Sequence, residues 1–444
     1  MEKDIESNLL GSIYTSPDLW DTLAYLCDDC GSRFAGTALE RKAGDYVMER
    51  FRAFGLQNVH AEPFEMRGWE RGPARLSIYQ AGGDIDLPAC LGLPGGVPCD
   101  LRAEIIDLGQ GTSADFAHAG EAVRGKIVMT SSDGPGRGDK YQAAREAGAA
   151  AFIFANASPG FLAPTGSIAD DLPGLGLAYE HAARIRRLLK NGPLTAHLVI
   201  QGVVKTVTAR NIVGELPGSD PSQGWIVACG HYDGHDICQG AHDNAAASAV
   251  LVEAARVLAP LRGQMRMGIR FVLFSGEELG LYGSFAYAKE HAAALDEVRL
   301  VFNADVLAMA MPVVLRMQAS PELAAYFRTL PLDELDLTVY DAPGAFIQNS
   351  DHFPFSLAGV QAVWALTSHP ASGVSWGHTA ADTLDKVEPR LLRQTAAAVT
   401  RLLWRMTSEP EAVPHVRKTK ETLQADLTAA GFEKSLRASG KWPF

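Results

Sequence analysis

The sequence predicts an α/β protein. Helices cover both faces of a mixed, mostly parallel sheet in three layers, and a small β-rich module is inserted into that domain. Three observations carry this reading. Apolar runs at 225–229 (WIVAC), 270–274 (RFVLF), 300–302 (LVF) and 361–366 (QAVWAL) are short, β-rich and unalternating, as strands buried on both faces are. Helical patterns at 244–259, 280–294 and 388–406 separate or follow them, which is the rhythm of a layered α/β domain. Residues 85–200 change character: strand patterns at 103–108, 126–130, 151–154 and 195–200 and helical ones at 140–147 and 179–190 alternate with the clusters LPGGVP, DGPGRG and DLPGLG.

Ahead of the insert, 17–30 (Leu19, Leu23, Leu26) and 38–54 (Ala43, Val47, Met48, Phe51, Phe54) show helical spacing. Gly55 is placed to close the second helix. Strand-like pieces follow at 58–64 and 74–79. The expected division is therefore 1–84 and 201–408 for the two parts of the larger domain, 85–200 for the insert, and 409–444 for a tail. The tail is partly amphipathic (Leu423, Leu427, Phe432, Leu436). It is expected to dock as a surface helix, with a partner or homodimer contact as the alternative.

Composition narrows the function. A chain of 444 residues suits about two or three domains. Its net charge of −12 argues against a nucleic-acid partner, which calls for a basic face. No stretch approaches the ~20 apolar residues of a membrane span, and the opening MEKDIESNLLGSIYTS has no cationic end followed by an apolar run. The expectation is a cytoplasmic protein without a membrane partner. Six scattered cysteines do not make a disulfide framework. Cys27-x-x-Cys30 ends a helical pattern and meets Gly31, the wrong context for a redox pair. Gly120 to Lys126 has P-loop spacing, but Ile127 replaces the required Ser/Thr and a strand follows. No G-x-S-x-G nucleophile elbow is present.

The polar residues that follow the apolar runs carry the chemistry. His231 and Asp233 follow 225–229, Glu277 and Glu278 follow 270–274, Asp305 follows 300–302, and His369 and His378 lie beyond 361–366. Ligands of open α/β sheets bind beyond the carboxyl ends of strands. Singly, each residue has an ordinary reading: Asp243 could cap the following helix, and Glu277 and Glu278 could open one. At four strand ends of one sheet the coincidence is hard to sustain. His231, Asp243, Glu278, Asp305 and His378 offer two imidazoles and three carboxylates. That donor set suits two divalent ions sharing a carboxylate, with a formal charge of −3 against +4. Glu277 is then free as a general base, and Asp233 is placed to orient the His231 ring.

These segments, GHYDGHDICQGAHDNAAASA, SGEELGLYGS, FNAD, NSDHFPF and GHTAADTLDKV, together resemble the co-catalytic dizinc aminopeptidase family. The spacing of Asp233, Asp236, Gln239, Gly240, Ala241 and Asp243 resembles its plasma glutamate carboxypeptidase (carboxypeptidase Q) branch, as does GSRFAGTALERKAGDYVMERFRAFGLQNVHAEPF near the start. The likeness covers about residues 20–408, and the insert resembles a protease-associated domain. The resemblance implies a zinc-peptidase fold and two zinc ions per chain: His231 and Asp305 on one, Glu278 and His378 on the other, Asp243 between them. It also implies Glu277 as base and then acid, a peptide substrate, and removal of N-terminal residues or cleavage of dipeptides. Other divalent metals, cobalt or manganese, suit the same donors. The segment 244–248 (NAAAS) and His242 depart from the family's usual residues, which bears on pocket shape more than on catalysis. Many relatives are secreted, whereas no leader is evident here. Asn349, Ser350, Asp351 and His352 are read as substrate contacts or as support for the metal side. Cys238 receives no ligand role. The rival functions are a deacylase-like hydrolase of a non-peptide amide and a binding protein on a dead peptidase scaffold, which would lack ligands or base.

Overall fold

Eight strands form the larger sheet, in the order Gln57–Glu70, Val203–Leu216, Gly268–Phe274, Trp225–His231, Val298–Ala304, Ala362–Thr367, Val313–Met317, Leu337–Tyr340. The computed structural model describes residues 2–79, 83–169, 171–340, 346–367 and 376–444. The four strands from Gly268–Phe274 to Ala362–Thr367 run parallel, and antiparallel neighbours flank them. Their unalternating sequences have a direct cause. Ile226 and Ala228 pack on one face with the helices Ala38–Ala53, Ala246–Leu258 and Pro389–Ser408. Val227 and Cys229 pack on the other with Tyr287 and Phe355, from the helices Tyr282–Glu290 and Phe353–Leu357. With both faces covered, neither parity of side chain can be polar.

The expected helices are present with shifted ends. The first stops at Ala24, continues as a widened turn over Tyr25–Asp29 and ends at Gly31. Its thiols are buried and free, and burial pushes Cys27 to about 12 and Cys30 to about 11, so neither is a ready thiolate. Thr37 caps the second helix by accepting from the Glu40 N–H at 3.3 Å. By length and composition alone the run Ala241–Leu261 is apolar enough to cross a bilayer, contrary to expectation, although its backbone leaves the helical region at Asp243 and Asn244 and the regular helix is Ala246–Leu258. Its most apolar stretch is 83% buried, as part of the core. The strands Val203–Leu216, Val313–Met317 and Leu337–Tyr340 and the helix Glu2–Thr15 were not read from the sequence. Val203 to Thr208 form a mostly exposed ribbon of mixed polar and β-branched residues, without a core signal.

The second sheet is the insert, ordered Ile85–Asp86, Ala74–Ile78, Thr195–Ile200, Cys99–Asp107, Ile127–Ser131, Ala151–Ala155, Gly174–Leu177, Cys90–Gly92. The boundary at residue 85 is thus corrected: Ala74–Ile78 pairs with Thr195–Ile200 and belongs to the insert. Local sequence could not assign that strand, because its partner lies more than a hundred residues away.

The tail forms two short helices, Lys420–Ala429 and Glu433–Ala438. Leu423, Leu427 and Leu436 pack against Leu281, Phe346 and Phe353 of the larger domain. Leu427 is fully buried, so Leu427→Ala is expected to destabilise the protein by about 2–5 kcal/mol. Denaturant unfolding measures this, and an unchanged midpoint would mean the tail is not part of the folded unit.

Candidate metal centre

The parallel strands deliver their polar residues to one edge. His231 ends Trp225–His231, Asp305 follows Val298–Ala304, and Glu277 and Glu278 sit on the turn after Gly268–Phe274. Asp243 comes from the turn before Ala246–Leu258, entered through Gly240 in the left-handed region (φ 55°). A side chain on Gly240 would meet the Asp243 carbonyl oxygen at 2.5 Å, so tight a turn needs glycine. His378 arrives from the loop beyond Ala362–Thr367; His369 lies outside the described residues.

The structure brings all five expected donors together. His231 Nε2 lies 3.2 Å from Asp243 Oδ1 and 3.3 Å from Asp305 Oδ1. His378 Nε2 lies 3.2 Å from Asp243 Oδ2 and 3.5 Å from Glu278 Oε2. Asp243 therefore turns one oxygen to each imidazole. Metal–donor bonds of about 2.0–2.2 Å in tetrahedral array place donors about 3.3–3.6 Å apart, close to the 3.2–3.5 Å seen. His231 Nε2, Glu278 Oε1 and Asp305 Oδ1 are buried without hydrogen-bond partners, a costly state for polar atoms that nothing else satisfies. The residues fit a metal.

The electrostatics agree. Burial, reinforced by Asp243, raises Glu278 to about 8. Burial and the carboxylates of Glu278, Asp351 and Asp305 lift Glu277 well above the ordinary range. Burial alone would depress His231, but Glu277 with Asp233, Asp243 and Asp305 outweighs it and raises it strongly. Asp243 resists its own burial through His231 and His378 and is held low. Without a cation, protons balance this charge.

Asp233 does meet the His231 ring, mainly through its backbone. Its backbone oxygen, not its carboxylate, accepts from His231 Nδ1, at 3.2 Å. The carboxylate stands 3.6 Å from that nitrogen and accepts the Glu277 N–H at 3.3 Å, so it positions the candidate base. Ser350, Asp351 and His352, expected as substrate contacts or as support for the metal side, are buried and do not line the cavity, and Ser350 takes the supporting role. Ser350 Oγ donates to Asp305 Oδ2 at 2.5 Å and accepts from Asn303 Nδ2 at 2.6 Å. His352 Nδ1 faces the same Asn303 at 3.3 Å. Burial raises Asp351 to about 7. Of that segment Asn349 lines the cavity.

Sequence reasoning missed several contributors. Buried Arg33 donates to the backbone oxygens of Tyr232, Gln239 and Gly240 at 2.8, 2.6 and 3.0 Å, fixing the loop between His231 and Asp243. Asp382 accepts the backbone N–H groups of His242 and Asp243 at 2.9 and 3.1 Å. Arg71 grips Asp236 with two bonds of 2.6 and 2.7 Å, and Gln239 ties the loop to Asp28 and Leu384. His235 lies buried beside Glu278 and His378. Arg33 and Asp382 carried no local pattern, whereas His235 stood inside the loop motif. The donors open onto a cavity of about 630 Å³ walled also by Arg137 and Ser167 of the insert and by Phe432 of the tail. Arg137 Nη1 is 3.5 Å from His378 Nδ1 and also faces the Thr165 oxygen.

Residues 211–403 match the model of Peptidase family M28, and residues 98–185 that of the PA domain. The chain therefore carries a Peptidase family M28 region and, ahead of it, a PA domain. The chain is 25% identical over 431 residues to Aminopeptidase YwaD of Bacillus subtilis, covering 92% of this chain and 88% of the relative. It is 24% identical over 417 residues to Carboxypeptidase Q of Xenopus laevis, covering 89% and 87%. Its fold is similar to that of a Peptidase M28 precursor from Shewanella amazonensis, with a TM-score of 0.80 at 23% identity over 94% of this chain and 99% of the other. BSAP, a zinc aminopeptidase from Bacillus subtilis, superposes with a TM-score of 0.67 at 25% identity over 90% and 97%.

Because Glu278 is pushed up to about 8 without a metal, it carries a proton at neutral pH that a cation must displace. Zinc affinity of the protein is therefore expected to fall as pH drops from 8 to 6, by up to about tenfold per unit for each proton displaced. Competition with a chelator at fixed free zinc measures it. An affinity independent of pH would contradict the protonated carboxyl.

Proposed function

We propose that this protein is a zinc-dependent exopeptidase that holds two ions in one centre and removes N-terminal residues from peptides or splits dipeptides. The observation that carries the reading is Asp243, whose two oxygens face two separate donor groups beside the uncommitted carboxyl of Glu277. His231 and Asp305 with Asp243 Oδ1 would hold one ion, and Glu278 and His378 with Asp243 Oδ2 the other. Zinc in such a centre supplies Lewis acidity, polarising a carbonyl and acidifying water toward neutrality.

The chain's own residues manage the proton. Glu277 borders the cavity, 4.0 Å from His231 Nε2, with its backbone held by Asp233. Its raised proton affinity lets it take a proton from the attacking water while the new C–O bond forms. It then returns that proton to the amide nitrogen as the C–N bond breaks, so the water is divided between the acid and amine products. Arg137 and Phe432 give the cleft one cationic and one apolar wall from outside the larger sheet. The relatives named aminopeptidase and carboxypeptidase favour a peptide over another amide. The presence of every donor and of Glu277 argues against a dead scaffold.

The test is mass spectrometry of products from the zinc-loaded protein given dipeptides and longer peptides, each with free and acetylated N-termini. Stepwise loss of N-terminal residues from free-amine substrates marks an aminopeptidase, and cleavage confined to dipeptides a dipeptidase. No cleavage with metal bound would overturn the reading. Glu277→Gln is expected to retain metal and lose kcat by at least about 10²–10⁴-fold; near-normal turnover would remove Glu277 from the proton path.

A further inference from the structure

The loop between His231 and Asp243 carries an imidazole that the five expected donors do not use. His235 is 1% exposed, and neither ring nitrogen has a hydrogen-bond partner. Its Nε2 stands 2.8 Å from Glu278 Oε2, and its ring meets the His378 ring edge to face at 4.5 Å. His235, Glu278 and His378 each bring one donor atom into a single small space. This is a second donor group, separate from that of His231, Asp243 and Asp305.

A packing role explains this poorly. A buried imidazole with both nitrogens unsatisfied costs free energy that an apolar side chain of similar size would not. An ordinary hydrogen bond to Glu278 is absent at 2.8 Å because the groups are not aligned for one. Two donors of one ion do approach that closely: bonds of about 2.0–2.1 Å at a right angle, as in a five-coordinate shell, place them about 2.9 Å apart. The position is also fixed from both sides, by the Arg71 pair on Asp236 and by the turn in which the Cys238 N–H meets the His235 oxygen at 3.5 Å.

We infer that His235 is a further protein ligand of the ion on the Glu278–His378 side, giving that ion two imidazoles and two carboxylates. This rests on the two-ion reading above. The consequence is an asymmetric centre, with more protein donors on the His378 side than on the His231 side.

The inference is tested on the full-length protein by zinc and cobalt binding. X-ray absorption of the wild-type protein with two zinc ions is expected to show about 1.5 imidazoles per zinc, from three histidines over two ions; about 1.0 would overturn the assignment. In His235→Ala and His235→Phe, chelator-buffered titration is expected to leave one zinc at wild-type affinity and weaken the other at least about 10–100-fold, the loss that even an outer partner of a ligand causes. Added imidazole is expected to restore the second affinity in His235→Ala but not in His235→Phe, whose ring fills the space. Variants that bind both ions as tightly as wild type would overturn the assignment. A wild-type protein that takes up only one ion would instead overturn the two-ion reading and this inference with it.

Discussion

The burial of like charge governs this molecule. Asp233, Asp243, Glu278, Asp305 and Asp351 are all buried around one point, with Glu277 among them. Carboxylates cannot be taken out of water so close together without cations or protons to match them. The imidazoles and Arg137 supply part of that match, and a bound cation would supply the rest. Ion binding and folding are therefore coupled at this site: ligands held apart in an unfolded chain gain their affinity only when the strands bring them together.

Two opposite devices hold the donor loop against that repulsion. Arg33 gathers backbone oxygens from Tyr232, Gln239 and Gly240, while Asp382 gathers the N–H groups of His242 and Asp243. Each hydrogen bond to a charged group is worth roughly 1.5–3 kcal/mol. Their greater value is geometric, since a loop held by its backbone cannot swing its carboxylate away. Neither residue touches the metal space, yet both set where Asp243 stands.

Much of this was legible in the chain because strand ends concentrate chemistry. A buried parallel strand announces itself by an unbroken apolar run, and the first polar residues after it fall at the sheet's edge. Hence His231, Glu277, Glu278, Asp305 and His378 could be named. Long-range partners could not. Arg33 sits about two hundred residues from the loop it holds, Ala74–Ile78 found its sheet through a strand beyond residue 190, and Ser350 looked as much like a substrate contact as the Asp305 support it is. His235 was hidden differently: within the motif, its role depends on a ring direction that only the folded loop fixes.

The way the chain enters and leaves the insert bears on how the larger sheet assembles. Gln57–Glu70 and Val203–Leu216 are paired along their length, ending at Glu70 opposite Val203. Between them lies the whole insert, and closing a flexible loop of about 130 residues costs about 4 kcal/mol in chain entropy. Inside the insert, however, Ala74 already lies opposite Ile200, and the Gln201 N–H bonds to the Pro73 oxygen at 3.0 Å. Once the insert has folded, its two ends are side by side, and the long loop has become a short one. The insert is in this sense a folding staple as well as a wall of the cleft: it turns the most distant strand pair of the larger sheet into a local hairpin.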